Sequence, residues 1–350
     1  MTIRVPELQA DAAVTGGGAQ PMRIGANIVL PDVLRDLGHD PAPIFAAAGV
    51  DLAAFTDPEA TLPMRTVARL FKVAVDMTGH HDIGLRIGAR AGTDYLGLLL
   101  QRMAAEPDLR SMLAVMVKFT PINTRAAAMR IDNDDSEVRL EIAINDLFAE
   151  VASLYEEGMA VVIFQSIRRL AGDGWRPLAV EFAHRPTAPP DAYRQVFGLR
   201  PRFNRLRSAI VLRASDLSTR LPGTLGEDRQ AIDHAARAAA SRLGLNVEDQ
   251  TRAIIRANLA RPDLSLDVVA RVLGQSSRTL NRRLQARGVS FAGLLRDTRH
   301  ATARHLLADA ETSLGEIATA LGYADQSAFS RAFRLWSGMT PRAWRQAHGS

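Results

Sequence analysis

Six side chains near the C-terminal end of this 350-residue chain carry the chemistry of nucleic-acid recognition: Arg278, Asn281, Arg282, Gln326, Ser327 and Arg331. Arginine presents a planar fork of donors that fits guanine or phosphate, and asparagine and glutamine pair with adenine in the major groove. Serine serves a base edge or a phosphate. The six fall into two sets, each inside a basic segment. The first runs Ser277-Arg278-Thr279-Leu280-Asn281-Arg282-Arg283-Leu284, the second Ser327-Ala328-Phe329-Ser330-Arg331-Ala332-Phe333-Arg334. Leu280 and Leu284 lie one helical turn apart, as do Phe329 and Phe333, so each segment has a face to bury and a basic face to present.

The elements that must hold those faces outward are written twice. Residues 265–274 read SLDVVARVLG and residues 313–322 read SLGEIATALG, 48 residues apart. In the first copy Ser265 caps a helix whose inward residues are Leu266, Val269, Ala270 and Leu273. Gly274 ends it in a turn that wants positive φ, and the small Ala270 lets the next helix cross closely. In the second copy Ser313 and Glu316 form a capping box, and Ala318 and Gly322 take the places of Ala270 and Gly274. Asp325 or its neighbour caps the following helix, and Gly338-Met339-Thr340-Pro341 stops it. Between the copies, Leu294 to Leu307 has helical period with Leu294, Leu295, Ala301, Ala303, Leu306 and Leu307 inward. A rigid helix there would fix one unit relative to the other, and reading successive major grooves needs a spacing of roughly 34 Å. One basic amphipathic helix is as readily a solvated surface. Two in-register copies, each with its glycine turn and basic outer face, weigh against that.

These residues resemble the AraC/XylS family of bacterial transcription regulators. The resemblance covers about residues 248–346 and rests on Ala318-x3-Gly322-Tyr323, Phe329-Ser-Arg-Ala-Phe333, Gly338-Met-Thr-Pro341 and the central Arg299-x4-Arg304-x-Leu306-Leu307. It implies base contacts early in each recognition helix, which by position fall on Arg278, Asn281 and Arg282 and on Gln326, Ser327 and Arg331. Upstream, residues 179–222, Asp82-Ile-Gly-Leu85 with Gly88, and Gly97-Leu-Leu-Leu100 resemble the arabinose-binding-type N-terminal domain of one branch of that family, over roughly 25–225. Domains like it sense a small effector, pair subunits, or both. The partners implied are double-stranded DNA, RNA polymerase, an unidentified small-molecule effector and a second copy of the chain.

Charge divides the chain in the same way. Residues 251–350 hold 15 arginines, no lysine and 7 acidic residues, a balance of +8; the whole chain is +5, so residues 1–250 carry −3. A basic end is what phosphate contact requires. The absence of cysteine excludes disulfides, thiolate metal sites and the alkyl-transfer repair chemistry that some DNA-binding proteins carry. No run approaches the roughly 18–20 apolar residues of a membrane helix, and residues 1–20 lack a secretory apolar core, so a cytoplasmic protein is expected.

The N-terminal part reads as α+β. Leu30–Leu37, Leu62–Met77, Tyr95–Met103, Leu109–Phe119 and Leu147–Leu170 have helical apolar spacing, while Val138–Ile144 alternates and Ala126–Ile131 pairs with it. Ala179–Phe182 and Ala209–Leu212 are further strands. The expected fold is an α+β N-terminal domain followed by an all-α domain of two helix-turn-helix units joined by a linker helix. Its limits are a flexible tail at 1–22, a sensing or dimerisation domain at 23–225, a linker helix and seam at 226–247 and the DNA-binding domain at 248–347. The linker helix covers about Glu227–Leu243 and the seam Gly244–Asp249.

Reaction chemistry does not stand out. His80-His81-Asp82 lacks a third ligand at suitable spacing, His184 on a predicted strand reads as structural, and His300 and His305 are wrongly spaced for one helix face. Gly16–Gly18 lacks a preceding strand and a phosphate-loop lysine. No nucleophile–base pair is found, so no catalytic residue, metal or cofactor is expected and the chain reads as a non-enzyme. The competing readings are an effector-independent architectural DNA-binding protein and an enzyme fused to a DNA-binding domain.

Overall fold

Short polar side chains placed just before apolar-periodic segments set most helix starts, because each satisfies one of the first free backbone N–H groups. The computed structural model describes residues 21–133, 136–222, 246–261, 263–273, 275–308 and 312–348. The strands are β1 (Pro21–Arg23), β2 (Thr61–Pro63), β3 (Ala127–Asn133), β4 (Glu137–Ile144), β5 (Ala179–Glu181) and β6 (Ser208–Arg213). Among the helices, α1 spans Leu30–Asp36, α2 Pro41–Ala48, α3 Met64–Thr78, α4 Ile83–Ala91, α5 Leu98–Ala104, α6 Leu109–Asn123, α7 Ala152–Ala171 and α8 Pro190–Phe197. The C-terminal set is α9 (Val247–Ala257), α10 (Leu266–Val272), α11 (Ser277–Gln285), α12 (Phe291–Ala308), α13 (Leu314–Ala320), α14 (Gln326–Ser337) and α15 (Pro341–His348). Asp40, Asp108 and Asn246 cap α2, α6 and α9 by accepting from the N–H of Ala42, Ser111 and Asp249.

An α+β part is therefore followed by an all-α part, as expected. Four strands form an antiparallel sheet in the order β3-β4-β6-β5. The expected hairpin is present, with Ala127 opposite Ile144 and Asn133 opposite Val138. Leu140, Ile210 and Leu212 of the sheet pack against Met112 and Met116 of α6, Phe164 and Ile167 of α7, and Tyr193 and Phe197 of α8. A second core joins α1–α3 to the start of α7 through Phe45, Phe71, Phe148 and Tyr155. α7 belongs to both cores and crosses α4 backbone to backbone. A Cβ on Gly84 would collide with the Leu154 carbonyl, and one on Gly88 would sit 2.7 Å from the Gly158 oxygen. That close crossing is a physical reason for two of the glycines on which the N-terminal resemblance rests.

Several expectations are corrected. The expected loose tail is described only at its last two residues, and there Pro21 and Met22 belong to β1, which pairs with β2. Three-residue strands show no alternation to read. His184 lies beyond β5, which ends at Glu181, in a bend rather than a strand. Gly16–Gly18, the expected linker helix Glu227–Leu243, Gly274 and the side chain of His305 lie outside the described residues. The expected seam is described only from Asn246, and from Val247 it is already helical.

The helical part rests on the sheet. α9 packs across β3 and β4, where Arg125 Nη1 lies 3.8 Å from Asp249 Oδ2. Arg207, just before β6, donates from Nη2 to the Ala320 carbonyl at the end of α13 at 2.9 Å, and its Nε lies 3.6 Å from Glu141 Oε2 on β4.

Candidate DNA-binding surface

Each recognition helix is presented by the helix before it. In the first unit Ser265 caps α10 through the Val268 N–H, and Ser276 caps α11 through the Thr279 N–H. Val269, Ala270, Leu280 and Leu284 are buried, and Leu266 and Leu273 pack against them half-buried. That leaves Arg278 and Arg282 exposed one turn apart, with Asn281 half-buried between them. Arg283 donates to Gln275 Oε1 at 3.1 Å, and Ser277 donates to the Asp267 carboxylate, so these two side chains are occupied within the unit.

The second unit repeats this arrangement with larger residues. Ser313 and Glu316 close the expected capping box at 2.8 and 3.2 Å, and bonds from Ser313 hold the Glu316 carboxyl below its ordinary range. Asp325 caps α14 through the Ala328 N–H at 2.7 Å. Phe329 and Phe333 are fully buried, and Gln326, Ser327, Arg331 and Arg334 are exposed. Gly322 adopts φ +73°, and a Cβ there would collide with the Leu259 carbonyl oxygen. Gly338 ends α14 in the left-handed conformation, φ +76°. Among the described residues no hydrogen bond or ion pair engages the side chains of Arg278, Arg282, Arg331 or Gln326. These are unspent donors on exposed helix faces, the state a groove-reading side chain must have before it meets DNA.

The linker is a single helix. α12 runs unbroken for 18 residues and packs on α9, α13, α14 and α15. Its Leu294, Ala303 and Leu307 are buried, and Thr298 bonds back to the Leu294 carbonyl at 2.7 Å. Arg299 lies over the Tyr323 ring at 4.8 Å. His300 sits 5.8 Å from the rings of both Phe333 and Trp336, where burial and the nearby Arg304 lower its pKa.

The N-terminal histidines fall elsewhere. Asp82 accepts from Arg86 Nε at 2.8 Å, and His80 stacks edge-on with His39. Among the described residues no group of three His, Cys, Asp or Glu side chains is arranged to hold a metal ion. His184 meets a cluster that sequence reading missed. Its Nε2 lies 3.7 Å from Glu156 Oε2 and 4.0 Å from Glu157 Oε1. Tyr193 and Thr187 donate to Glu157 Oε1 at 2.5 and 2.6 Å, and Ser208 donates to Glu156. Burial pushes both carboxyls up to about 7 and, with the bond to Glu157, the Tyr193 hydroxyl to about 12; burial lowers His184. Two adjacent acidic residues inside an apolar helix were the available signal.

Residues 38–221 match the arabinose-binding domain of AraC transcription regulators, and residues 269–347 match a helix-turn-helix domain. The chain belongs to the AraC family of transcription regulators. It is 26% identical to the ornithine utilization regulator of Pseudomonas aeruginosa, over 94% of this chain and 99% of that one. It is 27% identical to the transcriptional regulator VirS of Mycobacterium tuberculosis, over 91% of this chain and 94% of that one. A shorter likeness, 33% over 103 residues, relates it to the transcriptional activator NphR of a Rhodococcus species, covering 29% of this chain and 31% of that one. This AraC-family chain is thus a DNA-binding transcriptional regulator with an N-terminal ligand-binding domain, and its relatives are regulators rather than enzymes. Among the described residues no helix is long and apolar enough to cross a membrane.

Proposed function

We propose that this regulator is an effector-responsive activator whose single chain reads two successive major grooves, α11 in one and α14 in the next. Arg278, Asn281 and Arg282 serve the first half-element, and Gln326, Ser327 and Arg331 the second. The observation that carries this reading is the exposed Arg278 and Arg282 of α11 and the exposed Gln326 and Arg331 of α14, without side-chain partners among the described residues, on two helices that share one apolar core with α12 between them in sequence. The shared core limits how far the two faces can separate, which is what half-sites about one helical turn apart demand. Residues 23–225 form the sensing and dimerisation unit, 248–347 the DNA-binding unit, and RNA polymerase and a second copy are the protein partners. The activator relative supports the direction of control.

The test is recovery and sequencing of genomic fragments bound by the full chain beside its Arg282→Ala/Arg331→Ala double variant. Two half-elements about one helical turn apart (~10 bp), lost in the variant, are expected. Enrichment without sequence preference, unchanged in the variant, would replace this reading with an architectural role.

A further inference from the structure

The N-terminal domain contains a cavity of about 120 Å³, lined by α4, α5, α6, α7, β3 and the segment after β1. Gly84, Gly88 and Gly158 line its wall where α4 meets α7; their missing side chains let the two helix backbones close on each other, so that wall is largely backbone. The body is apolar and adaptable, with Leu99, Ile163 and four methionines, Met103, Met116, Met129 and Met159. Methionine side chains reshape cheaply around a guest. An engineered apolar cavity of roughly 150 Å³ holds benzene, which sets the scale of occupant here at about one ring or a short branched chain.

One end is cationic. Arg23 is 7% exposed and lines the cavity. Its two Nη groups donate to Asn123 Oδ1 and to Glu59, while its Nε is buried with no hydrogen-bond partner among the described residues. Glu59 is 68% exposed, and both Nη groups are engaged, so the Nε–H is the group of Arg23 left without a partner among the described residues. Asn27, Thr120 and Tyr155 add neutral polar groups, and no acidic residue, lysine or histidine lines the space. A buried donor without an acceptor costs free energy that an incoming oxygen anion would recover. A cationic guest would find no counter-charge.

We propose that this cavity is the effector site and that the effector is a small carboxylic acid with an apolar body of about one ring, its carboxylate seated on Arg23. The inference deepens the effector-responsive reading and rests on it. The path to DNA is short. Asn123, which holds Arg23, is two residues from Arg125, whose guanidinium faces Asp249 of α9 at the foot of the DNA-binding domain. An acid that draws on Arg23 competes with Asn123 for the guanidinium, and the segment 123–125 carries the change to α9. The acid shifts DNA affinity only to the extent that it binds the two arrangements unequally.

The experiment measures binding of benzoate, phenylacetate and 3-methylbutanoate to the full chain by calorimetry, with benzyl alcohol and benzylamine as neutral and cationic controls, and repeats DNA binding with each. At least one acid is expected to bind and to change DNA affinity, with benzylamine at least tenfold weaker. Arg23→Gln should raise the Kd for that acid at least tenfold and erase its advantage over the alcohol. Leu99→Trp, which fills the cavity from α5 and keeps the Arg23 side chain, should abolish binding while circular dichroism stays unchanged. Failure of all three acids, equal binding of benzylamine, or indifference to Leu99→Trp would overturn the proposal. The broader reading has its own test. A molecule of another class that alters DNA affinity in the Leu99→Trp chain leaves the regulator effector-responsive through a different site. No response to any member of a broad metabolite panel would sink both.

Discussion

The two helix-turn-helix units share one sequence pattern and differ in what surrounds it. The first is anchored by two leucines, Leu280 and Leu284, against Val269, Ala270 and Leu294. The second is anchored by Phe329 and Phe333, whose rings meet Tyr323, His300, Trp336 and Trp344 at centroid distances of 5.8–6.5 Å. It is also held from outside: Gly322 sits against the Leu259 carbonyl, and Arg207 of the N-terminal domain bonds to Ala320. α10 and α11 instead contact the rest of the molecule chiefly through α9. Large rings bury more apolar area per residue than leucines and prefer edge-to-face packing that fixes their angle. The pattern that makes a DNA-reading unit therefore does not set how firmly the unit is held. On this structure the second unit is the fixed one and the first is the adjustable one.

That asymmetry is breakable. Gly322→Val gives the largest effect, because a β-branched residue at φ +73° is strained before its Cβ meets Leu259. A loss of about 3 kcal/mol or more is expected. Hydrogen exchange should show α13 and α14 opening while α10 and α11 keep their protection; equal opening of both units would mean that they fold as one. Phe333→Ala should cost about 3–5 kcal/mol and Leu284→Ala a value near the low end of about 2–5 kcal/mol. The reverse order in denaturant unfolding would break the comparison. On DNA, Arg331→Ala should weaken specific binding by about 1–3 kcal/mol and Arg278→Ala by less. A preformed helix loses little on docking, so its contacts are retained in full. An equal loss on random DNA would make either residue a phosphate contact.

Much of this was legible in the sequence because it is local. Ser313–Glu316, Asp325, the Leu280/Leu284 and Phe329/Phe333 pairs and the Gly322 turn each depend on residues within one or two turns, and each stands where the spacing put it. The β3–β4 hairpin was readable for the same reason. What was not legible is long-range. Nothing near Gly322 announces the Leu259 carbonyl, and nothing near Gly84 announces that Leu154 will lie against it. The cavity is closed by segments about 140 residues apart in sequence, from Arg23 to Ser166, so its one buried cation could not be recognised as part of a site. Arg207 read as one more surface arginine until the fold set it between Glu141 and Ala320.

The smallest effect sharpens the comparison most selectively, because only one unit carries the group. No histidine lies between residues 246 and 290, whereas His300 projects from α12 onto Phe333 and Trp336 of the second unit. Burial first, then the charge of Arg304, holds its pKa below the ordinary value, with Asp297 opposing. The folded chain keeps this imidazole neutral at pH values where the unfolded chain already binds a proton. Stability is therefore unaffected above about pH 7 and falls as pH drops through about 6.5, the ordinary histidine value, towards the lower folded one. Exchange protection of the α14 amides, corrected for the intrinsic rate, should decline between pH 7 and 5.5 relative to those of α11. His300→Gln should remove that difference. Its persistence in the variant would assign the pH response to other groups, and a parallel decline in α11 would show that the first unit depends on the second for its own order.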